Sequence, residues 1–271
     1  MLSGRKNQMR LAIVGWGAIA RRSAQLLLDR NQNIVVAGIA EQGPKNDRDL
    51  PDGAKWLTEP ADLRDLAPDL VVEAAGRDAV EPWAMVGLSC APAFGICSTS
   101  AFCDDALLQR LTNVAERHGS QILIPSGALG GLDALAAASR LPLESVTHRI
   151  IKPPAAWRGT LAETLVDLQA LTTAQVFFEG SARAAATSFP ANANVAALSA
   201  LAGIGFEQTF VQLIADPAIK QNCHHLVASG SFGSLSVKLE NRPLPTNPRS
   251  SELAALSLVR LVESRIRPVT F

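Results

Sequence analysis

The sequence predicts an α/β chain in two parts: a parallel sheet covered on both faces, then an α+β unit with a mixed sheet. Three observations carry this reading. The first half alternates short apolar runs with stretches of helical periodicity, the rhythm of strand, helix, strand that builds parallel sheets. The second half has longer and more polar strand patterns. Two of these, His224–Ser229 and Gly233–Glu240, are joined across Gly230-Ser231-Phe232, which suits an antiparallel hairpin. The expected boundaries are 1–125 for the first part and 126–250 for the second. The last segment, 251–271, is expected to fold back as a helix on the first part.

In order along the chain, Met9–Gly15 reads as a strand and Ala18–Asp29 as a helix with apolar residues at helical spacing. Ile34–Ala40 is a second strand, and Leu70–Ala75 and Phe94–Ser98 look like buried strands. Asp104–His118 is an amphipathic helix. Asp104 and Asp105 stand at its start and Arg117 and His118 at its end, each matching the helix dipole. Gln121–Ile124 is a further strand. In the second part, strands are expected at Glu144–Ile151, Ala174–Gly180 and Phe206–Ile214 before the hairpin. Helices are expected at Ala162–Leu171, Val195–Ala202 and, last, Ser251–Ser264.

The 271 residues are 48% hydrophobic, enough for a sizeable core. Lys plus Arg and Asp plus Glu number 25 each. There is thus no global field to attract nucleic acid or an anionic membrane. Charge, Pro or Gly breaks every apolar run before the ~18 residues of a membrane span. The opening MLSGRKNQ is polar and leads straight into a strand, so no signal peptide is expected. Cys90, Cys97, Cys103 and Cys223 form no CxxC pair and suit neither a zinc site nor a disulfide scaffold. A soluble protein of the reducing cytoplasm, without a metal, is expected.

The turn Gly15-Trp16-Gly17-Ala18-Ile19-Ala20 follows the first strand and opens the first helix. This is the GxGxxG/A arrangement of a Rossmann dinucleotide-binding unit, in its required context. Gly15 allows the tight turn, Gly17 lets backbone approach a pyrophosphate, and Ala20 keeps helix and strand close. The helix start at Ala18 and Ile19 offers N–H groups to phosphates. Glu41 ends the second strand, where an acidic side chain binds adenosine ribose hydroxyls and repels a 2′-phosphate. The cofactor is therefore expected to be NAD, with NADP possible. The plain alternative is a tight turn and a solvated strand end. Arg21 and Arg22 could add charge for the phosphates or be ordinary solvent-facing arginines.

Two of the four histidines lie together in Asn222-Cys223-His224-His225. In a strand, His224, Leu226 and Ala228 face one side and His225, Val227 and Ser229 the other. Only one histidine can then face a site, and the alternation does not choose between them. The same geometry argues against a His-His-Cys metal site. A thiolate mechanism at Cys223, as in phosphorylating aldehyde dehydrogenases, is disfavoured because such cysteines open a helix.

Four stretches, IPSGALGGLDAL (Ile124 to Leu135), KPPAAWRGT (Lys152 to Thr160), FPANANVAA (Phe189 to Ala197) and NCHH with the later NPRSS, stand in the same order as in a known family. Together with GWGAIA they resemble the L-aspartate dehydrogenases over nearly the whole chain. That resemblance implies NAD(P)-dependent oxidation of L-aspartate to iminoaspartate, which hydrolyses to oxaloacetate and ammonia and can feed NAD biosynthesis. It implies a homodimer formed through the catalytic domain. It also implies nicotinamide-side contacts at Ala128 and Asn194, and the catalytic role at His224 rather than His225. Asn194 could equally be a helix cap. One departure is Ser98-Thr99-Ser100-Ala101-Phe102, where relatives read Ser-Val-Gly-Ala-Leu; a bulkier loop there would alter substrate fit.

The implied chemistry needs a hydride acceptor, a group that moves protons near neutral pH, and cations for two carboxylates. Lys152 and Arg249 are the candidate cations, and Arg158 is a weaker one. A solvated charge is the ordinary explanation of each. Two other functions fit the same turn: a related Rossmann reductase acting on another small carboxylate, and a non-enzymatic NAD(H)-binding sensor.

Overall fold

The computed structural model describes residues 8–41 and 50–270, apart from the side chains of residues 191, 248 and 249. The described chain divides into two compact units. One comprises residues up to Pro125 together with Ala255 onward, and the other Ser126–Ala254.

The first unit is a six-stranded parallel sheet. Its strands are β1 (Met9–Val14), β2 (Ile34–Ala40), β3 (Lys55–Leu57), β4 (Leu70–Glu73), β5 (Ala93–Ile96) and β6 (Gln121–Leu123). Their order is β3-β2-β1-β4-β5-β6, every pair parallel. This is the doubly wound order whose direction reverses between β1 and β4, where such sheets bind ligands. The apolar runs LAIV and LVV are buried almost completely, as strands covered on both faces must be. Helices α1 (Ala18–Arg30), α2 (Asp62–Leu66), α3 (Arg77–Cys90) and α4 (Asp105–His118) connect the strands. Asp104 caps α4 by accepting the amides of Ala106 and Leu107, and Gly119 ends it in the left-handed conformation. The last helix of the chain, Glu252–Glu263, returns to this unit. Ser23 on α1 donates to the Ala255 carbonyl, and Arg30 pairs with Glu263 at 3.1 Å.

The second unit begins with α5 (Leu132–Ala138) and contains a five-stranded mixed sheet. Its strands are β7 (Leu143–Lys152), β8 (Gln175–Ser181), β9 (Phe210–Ala215), β10 (Asn222–Gly230) and β11 (Gly233–Asn241), in the order β11-β10-β7-β9-β8. Only β7 and β9 are parallel. The β10–β11 hairpin closes on a Gly230–Gly233 pair across Ser231-Phe232. Short helices α6 (Ala162–Leu165) and α7 (Ala182–Ser188) and the longer α8 (Ala193–Ala202) complete the unit, with a two-stranded ribbon of β12 (Pro243–Leu244) and β13 (Asn247–Ser251). The final helix, Glu252–Glu263, is α9. Helix α8 buries Ala193, Ala196, Ala197, Leu198, Ser199 and Ala200, and these mostly small side chains let it lie close to its neighbours. No described helix is long and apolar enough to cross a membrane.

Several expectations shift. The strand expected over 206–214 starts only at Phe210, because residues 205–209 form a turn closed by the Thr209 amide on the Gly205 carbonyl. The helix expected over 162–171 stops at Leu165. There Val166 turns extended, and the Asp167 carboxylate takes the amides of Gln169 and Ala170 in its place. Helix α3 has no counterpart in the sequence reading.

Candidate active site

In the first unit the glycine turn sits at the point where strand order reverses. Gly15 has φ +94°, and a Cβ there would come within 2.5 Å of Ala75 backbone atoms. The turns after β1 and β4 therefore touch, and only glycine permits it. Gly17 is different. Its φ of −77° suits any residue, and a Cβ there would meet nothing within 4 Å. Nothing inside the unit demands glycine at 17, and the open space there leaves room for a group to approach the backbone closely. It opens α1 with no capping side chain and no acidic residue in the first turn, so that turn places no carboxylate of its own against an anion at the amides of Ala18 and Ile19. Ala20 is 1% exposed and packs in the core. These residues fit a dinucleotide's pyrophosphate.

Glu41 directly follows β2, is exposed, and lies 3.9 Å from an Arg21 guanidinium nitrogen. Arg21 in turn donates to the Trp16 carbonyl at 2.7 Å. The Gly15 amide bonds the Ala40 carbonyl at 2.7 Å, so the acidic residue and the glycine turn share one rim.

Sequence reasoning missed Glu73 on the same rim. It ends β4, fully buried. Its carboxylate accepts the amides of Ala75 and Gly76 at 2.8 Å each, the Ser98 amide at 3.0 Å and the Ser98 hydroxyl at 2.7 Å. Burial raises its pKa above the ordinary carboxylate value against the opposing pull of these donors. In the Ser98–Phe102 departure, Phe102 is fully buried within this unit.

In the second unit the β7–β10 pair decides which histidine is enclosed. His224 lies opposite Ile150, and His148 opposite Leu226. Alternation puts His148, Ile150 and Lys152 of β7 on the face shared by His224, Leu226 and Ala228 of β10. His148 is 0% exposed and His224 4%. Their rings are tilted at 45° with centroids 5.3 Å apart, and His148 Nε2 lies 3.1 Å from His224 Nδ1. His148 Nδ1 is 3.1 Å from the Ser199 hydroxyl on α8. Burial pushes His148 down to about 3. It also holds His224 well below the usual imidazole range, aided by the nearby His148 and Lys152. Both rings are therefore neutral at pH 7.

Lys152 is half-buried, its ammonium 5.0 Å from the centroid of the buried Trp157 ring. Burial pushes it down to about 8. The Trp157 indole is itself anchored on the Ile214 carbonyl at 3.0 Å.

His225 points to the opposite face and joins a polar ladder across all five strands. Ser236 and Arg149 flank it at 3.0 and 3.5 Å, Arg149 donates to Gln212, and Gln212 donates to Glu179. Cys223 also points away from the His224 face and is 3% exposed. Burial raises its thiol pKa, the opposite of what a nucleophile needs. No cluster of metal-binding side chains occurs among the described residues.

The other expected residues are more dispersed. The Ala128 carbonyl accepts from the buried Asn241 side chain at 2.8 Å, a tie that sequence reasoning did not identify. Asn194 is exposed in the first turn of α8, where Asn192 rather than Asn194 takes the cap position. Arg158 is exposed. The Arg249 side chain lies outside the described residues.

Residues 133–265 match the family model described as aspartate dehydrogenase, C-terminal, and residues 15–125 that of homoserine dehydrogenase, NAD binding domain. An L-aspartate dehydrogenase of Brucella anthropi is 51% identical over 94% of this chain and 96% of its own. The chain belongs to the L-aspartate dehydrogenase family. Its first unit is accordingly a Rossmann domain. Another family member, from Serratia proteamaculans, is 41% identical over 93% of this chain and 95% of its own. The crystal structure of aspartate dehydrogenase from Thermotoga maritima superposes with a TM-score of 0.78 at 29% identity, covering 97% of this chain and 99% of that one.

Proposed function

We propose that the protein oxidatively deaminates L-aspartate with NAD, with His224 as the group that moves protons and Lys152 holding a substrate carboxylate. The observation that carries the reading is the pairing on one sheet face of a neutral, enclosed imidazole with a half-buried ammonium, in a chain of this family. A nicotinamide dinucleotide, when bound, accepts the hydride that leaves the substrate Cα. Gly17 and the start of α1 admit its phosphates, and Glu41 takes the adenosine ribose hydroxyls. His224 removes a proton from the substrate nitrogen so that its lone pair can form the imine as the hydride leaves. The resulting imidazolium, its pKa held low, readily returns the proton as water adds to the imine. Lys152 supplies one charge for a dicarboxylate. The family resemblance implies Ala128 and Asn194 on the nicotinamide side and a homodimer; Arg249 is the candidate second cation, and the cysteine usage suits a cytoplasmic setting.

The test is NADH formation at alkaline pH across a panel of amino acids. Turnover of L-aspartate above all others is expected. Turnover of another amino acid alone would sink the substrate, and NADH binding without any turnover would favour a sensor. For the cofactor, Glu41→Ser should raise the NADP/NAD ratio of kcat/KM by about 5-fold, since one unit charge near a 2′-phosphate is worth on the order of 1 kcal/mol in a solvated setting. An unchanged ratio would remove Glu41 from the ribose.

A further inference from the structure

The hydrogen-bond chain behind His224 has a direction, set at its far end. A serine hydroxyl has one proton, and Ser199 Oγ lies 2.9 Å from the Ala196 carbonyl one turn back on α8, the geometry of donation. Toward His148 Nδ1, at 3.1 Å, Ser199 must then accept. A neutral imidazole carries one N–H, so with Nδ1 protonated His148 presents a bare Nε2. That lone pair, 3.1 Å from His224 Nδ1, requires the proton there on His224. His224 Nε2 is left unprotonated, and no described protein group hydrogen-bonds to it. Reversing the chain would place a proton on His224 Nε2 and cost Ser199 its bond to Ala196.

We infer that His148, oriented by Ser199, is a positioning residue that fixes His224 as its Nδ1–H tautomer and so keeps Nε2 free to accept a proton. The catalytic half of this inference rests on the reading of His224 as the proton-moving group. The tautomer itself does not. The arrangement is compact because the three residues come from adjacent pieces of one unit: two neighbouring strands, β7 and β10, and helix α8. The groups that bear electrostatically on His224 are His148 and Lys152, while α8 contributes only the uncharged Ser199 at this point. With no carboxylate behind His224 among the described residues, its orientation is set without stabilising the imidazolium. That differs from the Asp–His pairs that both orient and stabilise.

The experiment uses the full-length protein with nitrogen-15 in its histidines. Imidazole spectra report which ring nitrogen bears the proton, and kcat is measured alongside. Wild type should show His224 as the Nδ1–H form. His148→Phe removes the acceptor and should release that tautomer, with kcat falling roughly 10–100-fold, less than for loss of the base itself. His148→Gln, whose side-chain carbonyl can still accept from His224 Nδ1–H, should restore most of both signals. A residue that merely filled space would show the reverse ranking. If His148→Phe fails to fold, Ser199→Ala serves instead. It leaves the chain without its fixed end and should give a mixture of His224 tautomers. A wild-type His224 in the Nε2–H form overturns the inference, as does an unchanged tautomer in both His148→Phe and Ser199→Ala. Full activity of His224→Ala overturns the base reading separately, and the spectra then decide the positioning role on their own.

Discussion

The two faces of the β7–β10 pair are made from alternate residues of the same strands, yet they solve opposite problems. On the enclosed face, burial lowers the pKa values of His148 and His224, and among the described residues their side-chain hydrogen-bond partners are each other and Ser199. On the other face, Glu179, Gln212, Arg149, His225 and Ser236 form a ladder, one residue per strand, with both signs of charge and every member hydrogen-bonded. The first arrangement leaves two neutral rings with few partners, as the proposed proton-moving role of His224 would need. The second knits five strands together by saturating them. A one-residue slip of β10 would exchange the two roles, because side chains alternate across a sheet.

The largest break of this contrast should come from the adjacent histidines. His224→Ala is expected to lose about 10²–10⁴-fold in kcat while retaining NADH binding by fluorescence titration. His225→Ala should stay within a few-fold of the parent in the same assay, as expected where no proton-transfer group is removed. The opposite ranking would move the chemistry to the outer face.

Lys152 should give the next largest effect. Lys152→Met is expected to raise KM for aspartate on the order of 10²-fold, the loss expected when one member of a desolvated charge pair is truncated. Its pH dependence has a definite sign. With a pKa near 8, the ammonium is charged below that value and neutral above it. Inhibition by succinate, a dicarboxylate without an amine, should therefore weaken as pH rises through 8, and the Met variant should lose that dependence.

Acid should reveal the enclosed face through stability. An unfolded histidine titrates near 6.5, whereas folded His148 sits near 3 and His224 also lies well below its usual range. Between these values the unfolded chain binds more protons. The stabilisation is thus complete above pH 6.5 and declines as pH falls toward 3, by up to about 1.4 kcal/mol per pH unit for each such histidine. Urea midpoints at pH 7.5 and 5.5 measure the slope, and His148→Gln should reduce it. The smallest effect belongs to the ladder. Gln212→Ala cuts it in the middle and should cost about 1 kcal/mol in a urea melt, with kcat unchanged.

What the sequence disclosed follows from how locally each feature is determined. β1, α1 and β2 were legible because an apolar run, a glycine turn and a helical period are all local signals. Helix α3 was not, since Pro82 lies inside it and reads as a breaker, although the helix continues around it. α5 and α7 are seven-residue, alanine-rich pieces whose shape is imposed by packing. For the site, alternation showed that His224 and His225 face opposite ways, but choosing the enclosed one needed either a relative or the sheet's register. His148 was read only as part of a strand. A signal was present, since 148, 150 and 152 alternate onto one face with Lys152, but its partner His224 lies 76 residues away. Glu73 was hidden for a similar reason, because its donors come from two different loops.

Glu73 has a consequence for how the cofactor would be received. One carboxylate fastens the turn after β4 to the turn after β5, while Gly15 wedges the turn after β1 against the first of them. Three loops that could fluctuate independently are thereby coupled before any ligand arrives. Ordering them is charged to folding instead of to binding, so on the proposed reading a cofactor would meet a rim whose conformational entropy has already been spent. Loosening that rim, as Glu73→Gln would by exchanging an acceptor oxygen for an amide donor, should therefore slow capture and hasten release of the dinucleotide, even though Glu73 itself lies fully buried beneath it.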